Sequence, residues 1–259
     1  MGVIISMGMQ KGGVAKTTSV YNVSAVLANK GYKVLMIDFD PQASLTLSAG
    51  YNPLDFETTI CDVLSESRTP ITEVIYNVSA INNLQLVPSL TTLAAKEINL
   101  LNERARENKL KKALQVVKKA YDYIVIDCPP QLSLLTINAF TASDYILIPC
   151  ETSKLSFFAL GELFKTIKDI QEDLNEDLKI LGVVATLYDQ RITSHKDILN
   201  QLYGLEQCEV LGIVKKVAAA QKGLGEGLPV VITEPNHEVT AAYIDIAEKV
   251  INYVGSEAL

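Results

Sequence analysis

Short apolar runs, rich in β-branched residues, recur along the whole chain. Most of them are four to six residues long and show little alternation of apolar and polar residues. This pattern is typical of strands that are buried on both faces of a sheet. The predicted strands are Val3–Ser6, Val34–Ile37, Leu84–Val87, Tyr123–Ile126, Tyr145–Ile148, Ile180–Ala185, Val210–Val214 and Val230–Ile232.

Stretches with helical periodicity separate these runs. The alternation of strands and helices predicts right-handed crossovers and a mostly parallel, twisted sheet with helices on both faces. No linker rich in Gly, Ser or Pro and no repeat interrupts the pattern, so we expect residues 1–259 to form a single α/β domain. The clearest predicted helices are Lys16–Lys30, Leu93–Ala120, Phe157–Leu174 and His195–Tyr203.

Composition narrows the classes of function. The chain has 23 basic and 30 acidic residues, which argues against a protein whose whole surface binds nucleic acid but allows a local basic patch. Its four cysteines form no C-x-x-C pair, so the spacing typical of zinc and iron–sulfur sites is absent. The sequence contains no apolar run long enough for a membrane span and no export signal. We therefore expect a cytoplasmic protein that does not bind membranes.

A glycine-rich loop follows the first predicted strand and precedes the first predicted helix. Ligands of such sheets bind beyond the carboxyl ends of the strands, so this loop is a candidate site. Gly12 and Gly13 let the backbone approach an anion, and the helix N-terminus directs free N–H groups toward it. Lys16 adds a full positive charge, and the Thr17 hydroxyl is a ligand for Mg²⁺. The usual G-x-x-x-x-G-K-[ST] pattern would place Gly at positions 10 and 15, but this chain has Gln10 and Ala15 there.

Three carboxylates follow other predicted strands at the same edge of the sheet. Asp127 ends an apolar run, where a lone buried carboxylate is costly unless a metal ion offsets its charge. Asp38 and Asp40 are two residues apart, so one can face the anion bound by the glycine-rich loop while the other braces the loop after the strand. The alternative for each is an ordinary turn residue ahead of a proline.

These segments together resemble the ParA/MinD group of P-loop ATPases, and within it the ParA/Soj branch. KGGVAKTTS resembles the deviant Walker A loop of that group, and DFDPQAS resembles its A′ motif. YIVIDCPPQLSLLTINAFTASDYILIPCE resembles the Walker B strand and the segment that follows it, and GVVATLYDQR and AAAQKGLGEGLPV extend the likeness. The departures are Ala15, where Gly is usual, and Val214-Lys215-Lys216, where Ile-Pro-Arg is common. The resemblance implies a P-loop NTPase fold that binds ATP and Mg²⁺ and hydrolyses ATP.

The resemblance also assigns roles to the loop and the carboxylates. It implies that Lys16 bridges the β- and γ-phosphates, that Thr17 binds Mg²⁺ and that Thr18 reaches the α-phosphate. Asp40 would orient the attacking water, and Asp38 would support the Mg²⁺ shell. Asp127 would hold the ion, and we expect a water molecule to lie between the carboxylate and the ion. The implied nucleotide-binding residues of the loop are Lys11, Gly12, Gly13, Val14, Ala15, Lys16, Thr17 and Thr18.

Lys11 is a second lysine on the same loop. In the resembled family it crosses a dimer interface to the partner's phosphates, where it would neutralise transition-state charge as an arginine finger does. This implies an ATP-dependent homodimer; the alternative is a lysine that faces solvent. By position, Thr186, Lys215 and Lys216 are candidates for adenine contacts.

The resembled ParA proteins bind DNA non-specifically through basic residues, which contact phosphates without reading sequence. The candidates here are Arg191, Lys196, Lys215, Lys216 and Lys222. The expected function is ATP-dependent partition of plasmid or chromosomal DNA on the nucleoid, with a ParB-type adaptor that stimulates hydrolysis. A ParA-like ATPase that positions other cargo is the alternative. A metabolic P-loop enzyme that drives ligation or reduction with ATP is a further one.

Overall fold

A single, mostly parallel sheet forms the centre of the α/β domain, as the sequence predicts. The computed structural model describes residues 2–65, 69–216 and 227–257. Within them the strands are β1 (Val3–Met7), β2 (Val34–Asp38), β3 (Tyr76–Asn77), β4 (Leu84–Val87), β5 (Tyr123–Asp127), β6 (Tyr145–Glu151), β7 (Lys179–Tyr188) and β8 (Val210–Lys215).

The order of these strands across the sheet is β3-β4-β2-β5-β1-β6-β7-β8. All neighbouring pairs are parallel except β3 and β4, because β3 is a two-residue antiparallel strand at the edge. The first strand therefore lies in the middle of the sheet, between β5 and β6. The register pairs Met7 with Asp127 and Asp38 with Asp127, so the loops that follow these strands lie side by side at one edge.

Helices cover both faces of the sheet. They are α1 (Lys16–Asn29), α2 (Ser44–Ser48), α3 (Ile60–Val63), α4 (Leu93–Leu100), α5 (Lys109–Val117), α6 (Leu134–Ala142), α7 (Lys154–Asp173), α8 (Thr193–Tyr203), α9 (Val230–Thr233) and α10 (Glu238–Glu257). Single 3₁₀ turns occur at Pro53–Asp55, Ile71–Val74, Arg106–Asn108 and Lys118–Ala120. None of the helices in the described part of the chain combines the length and the apolarity that crossing a bilayer requires.

Two hydrophobic cores lie on opposite faces of the sheet. One contains Ile4, Ile124 and Phe140, and the other contains Ile5, Val125 and Tyr243. Consecutive residues of the central strands therefore point into different cores, as expected for strands that are buried on both faces. This double burial explains why their sequences are almost continuously apolar.

Two predicted elements differ from the structure. Val230–Ile232 is predicted as a strand but lies in α9, a single helical turn that follows Pro229 and packs against α1. A three-residue apolar run does not distinguish a strand from a buried helical turn, and Pro229 favours the helix start.

The predicted helix Leu93–Ala120 is divided into α4 and α5 by a turn, within which Ala105 has φ 48°. The buried Asn138 stabilises this division. Its amide donates to the Arg106 carbonyl at 2.8 Å, and its Oδ1 accepts from the Leu110 N–H at 3.2 Å.

Candidate functional site

The glycine-rich loop lies between β1 and α1, at the carboxyl edge of the sheet. Gly12 and Gly13 are exposed, and a Cβ atom built on either one would have no heavy atom within 4 Å. Gly13 has φ +75°, a left-handed conformation that glycine adopts readily. The loop therefore borders open space that a phosphate chain can enter without displacing protein atoms.

The start of α1 adds positive potential to this space. Its N-cap residue Ala15 has φ 61°, and neither a side-chain cap nor an acidic residue satisfies the first turn. The free N–H groups and the helix dipole favour an anion at such an end. Lys16 is buried, with 7% exposure, and Thr17 and Thr18 are half-buried beside it. The segment predicted to bind phosphates therefore has the geometry and the charge for it.

Asp127 lies at the end of β5, directly behind the loop. The Thr17 hydroxyl donates a hydrogen bond to Asp127 Oδ2 at 2.6 Å. Asp127 Oδ1 is buried and has no hydrogen-bond partner among the described residues. An unpartnered carboxylate oxygen in the interior is costly, and a hydroxyl beside a carboxylate is a donor set that suits Mg²⁺. These two residues therefore fit the magnesium ion that the sequence predicts.

The described residues contain no cluster of three or more His, Cys, Asp or Glu side chains that could hold a metal ion by themselves. Mg²⁺ does not need one, because it usually takes most of its ligands from phosphate groups and water. Burial raises the pKa of Asp127, and the nearby Lys16 and the Thr17 hydrogen bond oppose that rise. A cation at this carboxylate would stabilise its charged form further.

Asp38 is fully buried at the end of β2. Its Oδ2 accepts hydrogen bonds from the N–H and the hydroxyl of Thr46, at 2.8 and 2.7 Å, and its Oδ1 accepts from the Asp40 N–H at 3.3 Å. Burial raises its pKa, and repulsion from Asp127 raises it further. Both oxygens are thus engaged by protein donors, so the side chain braces the loop. Its implied support of the Mg²⁺ shell stays a prediction.

Asp40 lies in the loop after β2 and is 9% exposed. Its Oδ1 accepts a hydrogen bond from the Gln42 N–H at 2.9 Å, which fixes the side chain within a tight turn. Burial raises the pKa of this carboxyl, and the positive charge of Lys16 lowers it. Asp40 is therefore close enough to Lys16 to feel its charge, as a carboxylate that handles water near the γ-phosphate would have to be.

Lys11 has partners within its own chain. Its ammonium forms an ion pair with Glu151 at the end of β6 and donates to the hydroxyls of Ser153 and Ser156, at 3.1 and 3.0 Å. Lys11 and Glu151 are each 27% exposed, so the pair lies at the surface beside the loop. The isolated chain therefore holds this lysine away from the space above Gly12 and Gly13.

The residues predicted to contact adenine have different surroundings. Thr186 is fully buried, and its hydroxyl donates to the Val14 carbonyl at 2.9 Å, which braces the phosphate loop. Lys215 is half-buried and pairs with Glu238 at 2.6 Å, and Lys216 is exposed. An adenine contact by these residues stays a prediction, and the Thr186 hydroxyl would have to leave Val14 to make one.

Among the predicted DNA-binding residues that the structure describes, Arg191, Lys196 and Lys216 are exposed and Lys215 is half-buried. Arg191 is 85% exposed and forms two hydrogen bonds with the Asp189 carboxylate, at 2.9 and 2.7 Å. Lys196 is exposed on α8, and Lys222 lies outside the described residues. Because surface pairs of this kind are weak, the carboxylate can be exchanged for a phosphate at little cost.

Four residues of the site escaped the sequence analysis: Thr46, Glu151, Ser153 and Ser156. Glu151 lies three residues beyond the predicted strand Tyr145–Ile148, at the end of the observed β6, so the rule that identified Asp38 and Asp127 could have placed it at this edge but not in contact with Lys11. Thr46 carries no such signal, because nothing in its local sequence shows that its hydroxyl meets Asp38.

Comparison with known proteins agrees with this geometry. A family model described as an AAA domain matches residues 2–180. The sporulation initiation inhibitor protein Soj of Bacillus subtilis is 36% identical over 251 residues, which cover 96% of this chain and 98% of Soj. The chromosome partitioning protein ParA of Myxococcus xanthus is 36% identical over 83% of this chain and 75% of its own length.

A solved structure with a similar fold belongs to an enzyme whose name differs from those of the Soj and ParA relatives. Cobyrinic acid a,c-diamide synthase from Mycobacterium smegmatis, with bound ADP and magnesium, superposes with a TM-score of 0.84 at 31% identity. The match covers 99% of this chain and 97% of that one. Another structure of the same enzyme holds an ATP analogue and magnesium. The fold is thus one that binds an adenine nucleotide with Mg²⁺.

Proposed function

Because this chain belongs to the ParA/Soj family of partition ATPases, we propose that it segregates DNA in a cycle driven by ATP. It is a P-loop ATPase that uses ATP and Mg²⁺. In the proposed cycle, ATP binding brings two copies together, and the dimer binds DNA non-specifically on the nucleoid of the cytoplasm. A ParB-type adaptor stimulates hydrolysis, which separates the copies and releases the DNA.

The observation that carries this proposal is the second lysine of the loop. Lys16 is the buried lysine that any phosphate loop of this type needs. Lys11 is additional, lies at the surface and is held by Glu151 through a pair that is open to solvent. A lysine in that position is free to exchange Glu151 for phosphate oxygens that a second copy of the chain presents. An ATPase that works as a monomer has no need of it.

The hydrolysis step follows from the residues around the loop. The loop amides and Lys16 neutralise the charge of the phosphates, which is the main requirement of phosphoryl transfer. Thr17 and Asp127 would hold Mg²⁺, which supplies further charge neutralisation when it is bound. Asp40 would accept a hydrogen bond from the attacking water and so orient it. Lys11 from the second copy would add positive charge as the transition state forms.

We assign DNA binding to the cations near the ends of β7 and β8. Arg191 and Lys196 lie after β7, and Lys215 and Lys216 lie at and after the end of β8. With a net charge of −7, a single copy is a poor ligand for DNA, so paired patches on a dimer would be needed. This makes DNA binding dependent on ATP, as partition requires.

A second function is favoured by the 31% identity to cobyrinic acid a,c-diamide synthase. A metabolic enzyme of this kind would use ATP on a small substrate and would have no need to bind DNA. A ParA-like ATPase that positions other cargo would retain the DNA step and differ in its adaptor.

DNA retention at two salt concentrations separates the partition and metabolic functions. We expect retention of unrelated DNA sequences with ATP and Mg²⁺, none with ADP, and loss of binding as salt rises. Asp40→Ala should bind ATP and remain trapped on DNA because it cannot hydrolyse the nucleotide. An absence of ATP-dependent retention in low salt, together with normal hydrolysis, would exclude the partition function.

The location of the patch is tested by charge reversal. Arg191→Glu combined with Lys215→Glu should abolish retention and leave ATP-dependent dimerisation intact. The matched control is Lys30→Glu with Lys168→Glu, two lysines that also pair with surface carboxylates but lie outside the predicted patch. Retention that survives the first pair of substitutions in low salt would place the patch elsewhere.

A further inference from the structure

The loop that carries Asp40 is followed at once by the short helix α2, and Thr46 is a fully buried residue of that helix. Its hydroxyl has two partners. It donates to Asp38 Oδ2 at 2.7 Å and accepts from the Ser89 N–H at 3.1 Å. The Thr46 N–H also donates to Asp38 Oδ2, at 2.8 Å. One side chain therefore joins the ends of β2 and β4 through a bond to each.

The Asp38 carboxylate holds both ends of the Asp40 loop. Its Oδ1 accepts from the Asp40 N–H at 3.3 Å, and its Oδ2 is held by Thr46, six residues further along. Between these two points Asp40 closes a turn, because its carbonyl accepts from the Ala43 N–H at 2.9 Å and its Oδ1 accepts from the Gln42 N–H. The orientation of Asp40 thus depends on a carboxylate that is itself oriented by Thr46.

We propose that Thr46 is a positioning residue for hydrolysis, which acts by fixing Asp38 and, through Asp38, the loop that aims Asp40 at the phosphate site. The inference rests on the proposed role of Asp40 as the residue that orients water. Thr46 touches neither nucleotide nor water in this scheme. Its contribution is geometric, and small displacements of a positioning group reduce rate strongly while affecting binding little.

The test compares substitutions that keep or remove the hydroxyl. Thr46→Val preserves shape but removes the bond from the hydroxyl to Asp38 and leaves the Ser89 N–H without its acceptor, whereas Thr46→Ser keeps both hydroxyl bonds. The bond from the backbone N–H of residue 46 to Asp38 is present in both variants. We expect Thr46→Val to lower kcat for ATP hydrolysis about tenfold, with KM within about twofold of wild type. Thr46→Ser should keep kcat within about threefold of wild type. Thr46→Ala also removes the hydroxyl but, unlike Thr46→Val, puts no methyl group in its place. It is the substitute to measure if Thr46→Val does not fold.

Thr141→Val is the matched control, because Thr141 is also fully buried and its hydroxyl has no partner among the described residues. Its kcat should equal that of wild type. A Thr46→Val enzyme that is less heat-stable but has normal kcat per folded molecule would overturn the inference, and so would a Thr46→Ser enzyme as slow as Thr46→Val.

Asp40→Asn, measured in parallel, separates the role of Thr46 from the proposed role of Asp40, on which it rests. If Asp40→Asn hydrolyses ATP at the wild-type rate, the assigned role of Asp40 fails and the inference fails with it. If Asp40→Asn is inactive while Thr46→Val is normal, only the role of Thr46 fails.

Discussion

On one side of the phosphate loop Asp38 and Asp127 are fully buried on adjacent strands, whereas on the other side Lys11 and Glu151 are each 27% exposed. We call these the carboxylate flank (Asp38, Asp40 and Asp127) and the lysine flank (Lys11, Glu151, Ser153 and Ser156). The register of the sheet determines where Asp38 and Asp127 lie. Side-chain torsions alone determine where the ammonium of Lys11 lies.

The contrast indicates which part of the site can move. Displacing Asp38 or Asp127 would break a parallel ladder and leave a buried carboxylate without donors, at a cost of several kcal/mol. Moving Lys11 breaks a solvent-accessible ion pair, and such pairs contribute about 0.2–1 kcal/mol. The carboxylate flank is therefore fixed by the fold, while the lysine flank can be rearranged by a partner that offers better acceptors.

The largest effect is expected from Lys16, the buried lysine of the phosphate loop, whose charge acts on the carboxylate flank. Lys16→Ala removes the charge that lowers the pKa of both Asp40 and Asp127, and it leaves the phosphates without their main protein cation. We expect ATP hydrolysis to fall at least about a hundredfold. A fluorescent ATP analogue measures binding, and single-turnover kinetics measure the rate, with the exposed Lys168→Ala as the control. A normal rate in Lys16→Ala would contradict the assignment of the whole phosphate site.

Asp127 tests whether the carboxylate flank holds a metal ion. Asp127→Asn keeps the shape of the side chain and removes its charge, so the Mg²⁺ concentration that gives half-maximal hydrolysis should rise about 10–100-fold. A magnesium titration of ATPase activity measures it, and chelation of Mg²⁺ should stop hydrolysis by the wild-type enzyme. Asp173→Asn, a substitution at the exposed end of α7, should leave the titration unchanged. An unaltered magnesium requirement in Asp127→Asn would separate this residue from the metal.

Glu151 tests whether the lysine flank is as mobile as its exposure suggests. Glu151→Gln removes the ion pair that holds Lys11, so ATP-dependent dimerisation should occur at protein concentrations about two- to fivefold lower. Sedimentation in the Asp40→Ala background, where ATP should not be consumed, measures the dimerisation constant. The matched control is Glu162→Gln, which breaks a pair with Lys165 on α7. If Glu151→Gln weakened the dimer, Glu151 would be part of the dimer interface and not merely the partner that holds Lys11 in the single chain.

The same contrast explains how far the sequence could predict the site. The carboxylate flank was predictable, because Asp38 and Asp127 directly end apolar runs and parallel strands bring such ends together. The internal partners of Lys11 were not, because Glu151 is 140 residues further along the chain and their contact depends on side-chain torsions. Sequence patterns report which strands are buried and which loops follow them, but not which rotamer an exposed side chain adopts.

The fold shows a similar division. The seven longer strands were predicted because each is a mostly apolar run, and β3 was missed because two residues at an edge carry no apolar pattern. The run Val230–Ile232 was predicted as a strand because three consecutive apolar residues suit either a strand or a helical turn. The break before α5 depends on Asn138, a residue from a distant helix, which local periodicity cannot reveal.

The smallest effect concerns Ala15, which lies between the two lysines and where the resembled family usually has glycine. Its φ of 61° is left-handed, which costs a non-glycine residue about 1–2 kcal/mol, whereas glycine would lose about 0.5–1 kcal/mol of chain entropy on folding. We therefore expect Ala15→Gly to raise the free energy of unfolding by about 0.5–1 kcal/mol. Urea denaturation without nucleotide measures it.

Ala105→Gly is the matched control for Ala15→Gly, since Ala105 has φ 48° in the turn before α5, far along the chain from the loop. Both substitutions should stabilise the protein by similar amounts, because both relieve the same backbone strain. Only Ala15→Gly would also increase the freedom of the loop that joins the two flanks, so a change in ATP affinity should occur in that variant alone. If Ala105→Gly stabilises the protein and Ala15→Gly destabilises it, the Ala15 side chain contributes packing that glycine cannot replace. The phosphate loop would then be more rigid than its open surroundings suggest.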